Sequence, residues 1–198
     1  SFLPLELGAQ AVVENYTSVT DDRLINPEEH NWLSYRGTLD GWGYSKLDQI
    51  NDTNIEELQP VWSFSTGVLG GHESPPIVND GVMFITTPGN FLYAIEAATG
   101  DLLWRYQHNL PENYIAFHRT NRGVALYGDK VYMATLDARV IALDATTGEK
   151  VWDTPVQDNS FGYYITMAPL AIDGKILVGT SGGELGIRGF VVALDAES

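Results

Sequence analysis

The sequence predicts an all-β chain built of β-propeller blades, on three observations. A segment of the form Ala-x-acid-Ala-x-Thr-Gly-x-x-x-Trp occurs at residues 94–104 and again at 142–152, and a third copy opens at Ala193 as Ala-Leu-Asp-Ala. The copies begin at Ala94, Ala142 and Ala193, so the period is 48 and then 51 residues, the range of propeller blades and above that of most helical solenoids. Each copy follows the same alternation of short β-rich runs and turn dipeptides, and no long helical periodicity interrupts it.

In chain order, residues 1–60 carry no repeat. They hold the Pro27-Glu28-Glu29 cluster, the aromatics Trp32 and Trp42, and turns at Gly37, Gly41 and Gly43, and read as an N-terminal arm lying against the blades. The best helical candidate is a single turn at 54–58 with the polar Asn54 at its start. Residues 61–198 read as the blades, opening with Val61-Trp62-Ser63-Phe64 as the Trp-bearing outer strand of a first one. The dipeptides Asp80-Gly81, Gly128-Asp129 and Asp173-Gly174 then each introduce a β-rich run, at 82–86, 130–134 and 175–179. A second run follows in each period, at 91–95, 140–143 and 189–194, and the Thr-Gly pair supplies a turn with φ > 0 ahead of the Trp strand. Four short antiparallel strands fit each period, which is one blade.

The Trp at fixed spacing from a small Ala predicts packing: the ring covers the neighbouring blade, and its indole N–H finds a carbonyl there. A β-sandwich of regular hairpins is the structural alternative, and a period of about 50 residues with an internal motif argues against it. Propellers close with about four to eight blades. Two clear blades, a third nearly complete and one extra outer strand fall short of that, so the sequence reads as stopping in mid-repeat. The remainder of the propeller is expected from further chain or from a second chain, a homodimer being one such arrangement.

Composition narrows the function classes. Apolar residues make up 44% and charged residues 19%, as in a folded globular chain. The formal charge of -15 argues against nucleic-acid backbones and anionic membrane surfaces, which need clustered Lys and Arg. With no cysteine there is no disulfide, thiolate metal site, Cys nucleophile or covalent haem attachment. No apolar run approaches the roughly 20 residues that span a bilayer. The opening Ser-Phe-Leu-Pro-Leu-Glu-Leu has neither a basic start nor a long apolar stretch, so no signal peptide is expected in it.

Three segments do not repeat, and in a repeat protein such segments carry grafted chemistry. They are Gly70-Gly71-His72-Glu73-Ser74-Pro75-Pro76, Phe117-His118-Arg119-Thr120-Asn121-Arg122-Gly123, and the run from Gly179 to Gly189, Gly-Thr-Ser-Gly-Gly-Glu-Leu-Gly-Ile-Arg-Gly. Each is expected at the start or end of an inner strand. His72, His108 and His118 lack metal-site spacing and receive no catalytic role, and Arg188 reads as a structural partner for a nearby acid.

From about Asn31 onward, these segments together with Trp32-Leu33-Ser34-Tyr35-Arg36-Gly37, Ser65-Thr66-Gly67-Val68 and Thr166-Met167-Ala168-Pro169 resemble the N-terminal part of the pyrroloquinoline quinone (PQQ)-dependent alcohol dehydrogenases, whose propeller has eight blades. The resemblance implies oxidation of an alcohol to an aldehyde or ketone in the periplasm, with PQQ as two-electron acceptor, a Ca²⁺ or lanthanide ion beside it, and a cytochrome c or similar protein as the next acceptor. PQQ is a planar quinone with three carboxylates, so its pocket needs positive charge, backbone donors and flat walls. On this reading Arg122 pairs with a cofactor carboxylate through its guanidinium fork; the alternative is an ion pair with one of the chain's many acids. Thr166 and Ser181 give hydroxyl hydrogen bonds. Gly182 and Gly183 let the backbone come close to the cofactor, or else form an ordinary tight turn. Glu73 is a polar contact to the cofactor or a surface carboxylate. Glu184 matches the family's carboxylate ligand to the hard cation.

Two departures qualify the resemblance. Adjacent cysteines often precede the Asn-Arg-Gly in this family, and Ala116 and Phe117 stand there here, which puts the methanol dehydrogenase subgroup in doubt and leaves Phe117 as a ring that could stack on the quinone. The family's aspartate base, its other metal ligands, a stacking Trp and any haem domain would lie beyond Ser198, so no catalytic residue is assigned and the chain alone should not catalyse. The alternative function is a non-enzymatic propeller scaffold of the outer-membrane assembly lipoprotein type, which shares the Trp motifs and has no use for the Ser-Gly-Gly-Glu or Asn-Arg-Gly residues.

Overall fold

A computed structural model describes residues 12–198; the opening segment read for a leader lies outside the described residues. Eleven strands form three antiparallel sheets in which consecutive strands are neighbours. The first contains β1 (Ile77–Asn79), β2 (Val82–Thr87), β3 (Phe91–Glu96) and β4 (Leu102–Gln107). The second contains β5 (Val124–Tyr127), β6 (Lys130–Ala134), β7 (Arg139–Asp144) and β8 (Lys150–Pro155). The third contains β9 (Leu170–Ile172), β10 (Lys175–Gly179) and β11 (Val191–Asp195). These are propeller blades, with the Trp strands β4 and β8 at one edge and β1, β5 and β9 at the other.

The turn residues make the hairpins. Asp80 (φ 49°) and Gly81 (φ 82°) are both left-handed, as are Asp173 and Gly174, which is the twist that joins two right-twisted strands through a two-residue loop. In the second blade the middle strands bury nearly every residue: β6 is buried throughout, and β7 is buried at all but its ends, whereas β10 of the third blade alternates.

The repeated segment explains how blade joins blade. Trp62, Trp104 and Trp152 donate their indole N–H to the carbonyls of Ala97, Ala145 and Ala196, at 3.0, 3.1 and 3.2 Å. In each case the acceptor is the fourth residue of the next copy of the motif. Two of these rings also lie on the next copy's glycine: a Cβ at Gly100 would stand 2.7 Å from Trp62, and one at Gly148 2.6 Å from Trp104. Those glycines are thus demanded twice, by positive φ and by the ring above them. Trp104 is fully buried, tilted against Phe84 at 5.8 Å. A second tie is polar: His108, at the end of β4, holds both carboxylate oxygens of Asp137 from the second blade at 3.0 and 2.9 Å. Burial opposes ionisation of Asp137, and the bonds from His108 and Thr135 outweigh it, holding its pKa below the ordinary value.

Residues 61–64 form no ladder among the described residues, so the outer strand expected there is absent as a strand, although Trp62 docks as its counterparts do. The turn expected at 54–58 is a 3-10 turn, Ile55–Glu57. One helix was not expected, α1 (Asp21–Ile25), capped by the Thr20 hydroxyl, which accepts from Arg23 N. The surrounding segment adds single bridges to the blades, Val19 with Gly128 and Trp32 with Val78. Arg23 secures it by a two-pronged pair with Glu28, at 2.8 and 2.9 Å, and a bond to Asn79 of β1 at 3.0 Å. Among the described residues no helix is long and apolar enough to cross a membrane.

Candidate functional site

Loops from all three blades converge at one place. Gly123 (φ +119°) sits between the other two: a Cβ there would meet Ser74 Oγ at 3.4 Å and Ala168 Cβ at 3.7 Å. Of the three non-repeating segments, the first two lead into β1 and β5 as expected. The third leads out of β10, the middle strand of its sheet, and not into a strand placed like β1 and β5. It is the connection between β10 and β11, and it reaches the site through a bridge between Ser181 and Tyr164, just ahead of β9.

Arg122 is presented by its neighbour Asn121. The buried Asn121 amide accepts from Thr86 Oγ1 at 2.8 Å and from Gly123 N at 3.0 Å, and donates to the Ala134 carbonyl at 2.9 Å. With the Asn satisfied inward, the Arg122 backbone bonds Thr166 O at 3.0 Å and its side chain faces outward. Its guanidinium is divided between Nη1, which donates to Thr166 Oγ1 at 2.7 Å, and Nη2, which pairs with Glu73 at 2.9 Å. Thr166 Oγ1 in turn lies 3.4 Å from Ser181 Oγ. Glu73, Arg122, Thr166 and Ser181 therefore form one polar chain across the three blades.

The glycines after Ser181 differ in kind. Gly182 has φ +118°, and a Cβ there would stand 2.1 Å from the Gly162 carbonyl oxygen, so packing within the chain requires this glycine. Gly183 has nothing within 4 Å of the corresponding position. It opens a 3-10 turn, Gly183–Leu185, which carries the exposed Glu184. The Tyr164 hydroxyl donates to Glu184 Oε1. That bond, a backbone N–H and the nearby charge of His118 hold the Glu184 carboxyl below its ordinary pKa. Burial first, and then the bond to Glu184, push the Tyr164 hydroxyl up to about 12, so it stays a donor at neutral pH.

Beside this chain of contacts opens a cavity of about 450 Å³, bordered by Leu69, Glu73, Tyr114, Phe117, His118 and Arg119. The Phe117 side chain is 63% exposed and the Arg119 guanidinium lies over the Tyr114 ring at 5.8 Å. Arg188 lacks the acidic partner expected for it. Among the described residues it makes no ion pair, because its side chain faces solvent and only its carbonyl is engaged, by Tyr163.

These donors suit an anionic, hydrogen-bond-accepting guest. A guanidinium has five N–H donors, so Arg122 can serve a carboxylate while keeping Glu73 and Thr166. Two hydroxyls stand beside it, and at Gly183 the backbone is open to close approach. For a hard cation the fit is partial. Glu184 offers an anionic oxygen, but no three His, Asp or Glu side chains cluster among the described residues, and such ions take about six to eight oxygens. Tyr164 was not expected, since its partner lies 20 residues away and no local pattern reports it.

Comparison with known proteins bears on the family and the fold. Residues 32–198 match the family model described as the PQQ glucose/ethanol/alcohol dehydrogenase β-propeller domain. The chain is 39% identical over 196 residues to the quinoprotein alcohol dehydrogenase PedH of Pseudomonas putida, covering 96% of this chain and 32% of that protein. It superposes on the quinohemoprotein alcohol dehydrogenase ADHIIG of Pseudomonas putida with a TM-score of 0.87 at 38% identity, covering 94% of this chain and 28% of the other. A europium-containing methanol dehydrogenase superposes with a TM-score of 0.84 at 38% identity, covering 89% and 32%. The chain thus spans about a third of the length of these relatives.

Proposed function

This chain belongs to the PQQ-dependent glucose/ethanol/alcohol dehydrogenase β-propeller family, and from that premise we propose that it forms one side of the cofactor and metal site of an alcohol dehydrogenase. The observation that carries the proposal is the continuous polar chain Glu73–Arg122–Thr166–Ser181, ending beside the open Gly183 and the exposed Glu184. Arg122 holds a cofactor carboxylate with the N–H groups left over from Glu73 and Thr166. Thr166 and Ser181 donate to polar edges, Gly183 leaves room for a flat group, and Gly182 keeps the loop close enough for this to work. Glu73 balances the Arg122 charge and contacts the cofactor from the first blade. Glu184 gives one oxygen to a Ca²⁺ or lanthanide ion. Bound there, PQQ supplies a two-electron acceptor and the metal a Lewis acid.

In this reading residues 1–60 are an arm and 61–198 the blades. An alcohol is oxidised to an aldehyde or ketone in the periplasm, and electrons pass to a cytochrome c or similar acceptor. Glu184 is one of the several oxygen ligands such an ion takes. A scaffold reading leaves the Arg122–Glu184 arrangement without a use. Reconstituted with PQQ and Ca²⁺ or a lanthanide, the whole protein should oxidise alcohols in a dye-linked assay. Glu184→Ala should abolish the metal-dependent rate with its thermal unfolding unchanged; full activity in that variant refutes the ligand role.

A further inference from the structure

Residues 162–164 form a bed beneath the loop at 181–190, and each makes its own contact with it. The Gly162 carbonyl fills the space a side chain at Gly182 would need, and a Cβ at Gly162 itself would stand 2.9 Å from Leu185 Cδ1. The Tyr163 hydroxyl donates to the Arg188 carbonyl at 3.3 Å, and its ring is tilted against Phe190 at 5.8 Å. Tyr164 exchanges two backbone bonds with Ser181, at 2.7 and 3.4 Å, and its ring is buried at 1% exposure. A ring packed on all sides and tied by its own backbone has little freedom, so its hydroxyl is a fixed point. Glu184 is the opposite, an exposed and rotatable side chain on a short turn. Among the described residues, the side chain hydrogen-bonded to it is Tyr164, whose hydroxyl is bonded to Oε1.

We infer that Tyr164 is a positioning residue for Glu184, holding one carboxylate oxygen so that the other is presented to the hard cation in a defined orientation. The inference rests on the metal reading of Glu184 given above. Its physical basis is general. Ligating carboxylates are oriented by outer hydrogen bonds, and loss of such a partner lowers metal affinity by about 10- to 100-fold. Tyr164→Phe keeps the ring's packing and removes only the donor. The other supports of the loop, through Gly162 and Tyr163, remain, so the effect should fall on the carboxylate and not on the fold.

The test is a terbium(III) titration of the whole protein carrying PQQ, followed by luminescence sensitised through its aromatic side chains, with Ca²⁺ as competitor. The wild type should bind, and Glu184→Gln should lose the site. Tyr164→Phe should bind about 10-fold or more weakly, with an unchanged unfolding midpoint. Its alcohol oxidation should recover as the metal concentration rises, which that of Glu184→Gln should not. If Tyr164→Phe does not unfold cooperatively, Tyr164→Met, which fills much of the same space without a hydroxyl, takes its place. Wild-type terbium affinity in the hydroxyl-free variant, with binding lost in Glu184→Gln, overturns the positioning role and leaves the ligand reading standing. Equal binding by the wild type and Glu184→Gln overturns both.

Discussion

At the scale of residues, Gly182 and Gly183 show that two adjacent glycines can be present for different reasons. At Gly182 a methyl group would be driven into the Gly162 carbonyl and the backbone is left-handed, so Gly182→Ala should destabilise the fold by about 1–3 kcal/mol or more. At Gly183 no atom of the described residues stands in the way, so Gly183→Ala should unfold within about 0.5 kcal/mol of the wild type. If the open space beside it receives the cofactor, that same variant should hold PQQ more weakly. Thermal unfolding and quinone retention of the two variants separate these roles, and a Gly183→Ala protein that keeps PQQ as the wild type does would remove the glycine from the cofactor site. Both positions stand out in the sequence because they lie in one unbroken run with Ser181 and Glu184. Their difference is not visible there, since only the fold packs the 160s segment under the first and leaves the second open. Tyr164 has no signal in the sequence because its hydrogen bond joins it to Glu184, 20 residues away.

At the scale of elements, the Trp motif was legible almost in full, because each of its parts serves one contact: the Trp ring, the glycine beneath it and the Ala carbonyl that accepts its N–H. Helix α1 was not, because five residues are too few to show a period. Its signal was the cap alone, Thr20 followed by Asp21 and Asp22, acids suited to a helix N-terminus. That small helix carries Arg23, whose hydrogen bond is the main cause that pulls the Glu28 carboxyl down to about 2. A carboxylate depressed in the folded state contributes its full stabilisation above its unfolded pKa, and loses it as pH falls through the folded value. The Arg23–Glu28 contribution should therefore be whole above pH 4.5 and gone near pH 2. Glu28 is 44% exposed, so solvent screening keeps the effect small. The unfolding midpoint of Glu28→Gln should lie below that of the wild type at neutral pH and converge on it across this interval. A gap that persists at the acid end would show that the carboxylate's charge is not what secures the arm.

At the scale of the whole molecule, the site belongs to no single blade. Glu73 comes from the loop before β1, Arg122 from the loop before β5, Thr166 from the loop before β9, and Ser181 and Glu184 from the β10–β11 connection. Repetition holds those loops in register: indole-to-carbonyl bonds at a spacing of about 50 residues fix each blade against the next, and the unrepeated residues ride on that frame. The blades could be read from the repeat, and the candidate site residues stand in or beside the segments that break it. What could not be read was how the segments meet, since the Arg122–Glu73 pair and the Thr166–Ser181 contact join residues far apart in sequence. On the function proposed above, this convergence holds a quinone cofactor beside a metal ion. The most direct test supplies the purified whole protein with PQQ and Ca²⁺ or a lanthanide, removes free cofactor by gel filtration, and records the absorbance that stays with the protein. A retained quinone spectrum that is lost on metal chelation is the predicted result; a folded, metal-supplied protein that retains no quinone would contradict the account.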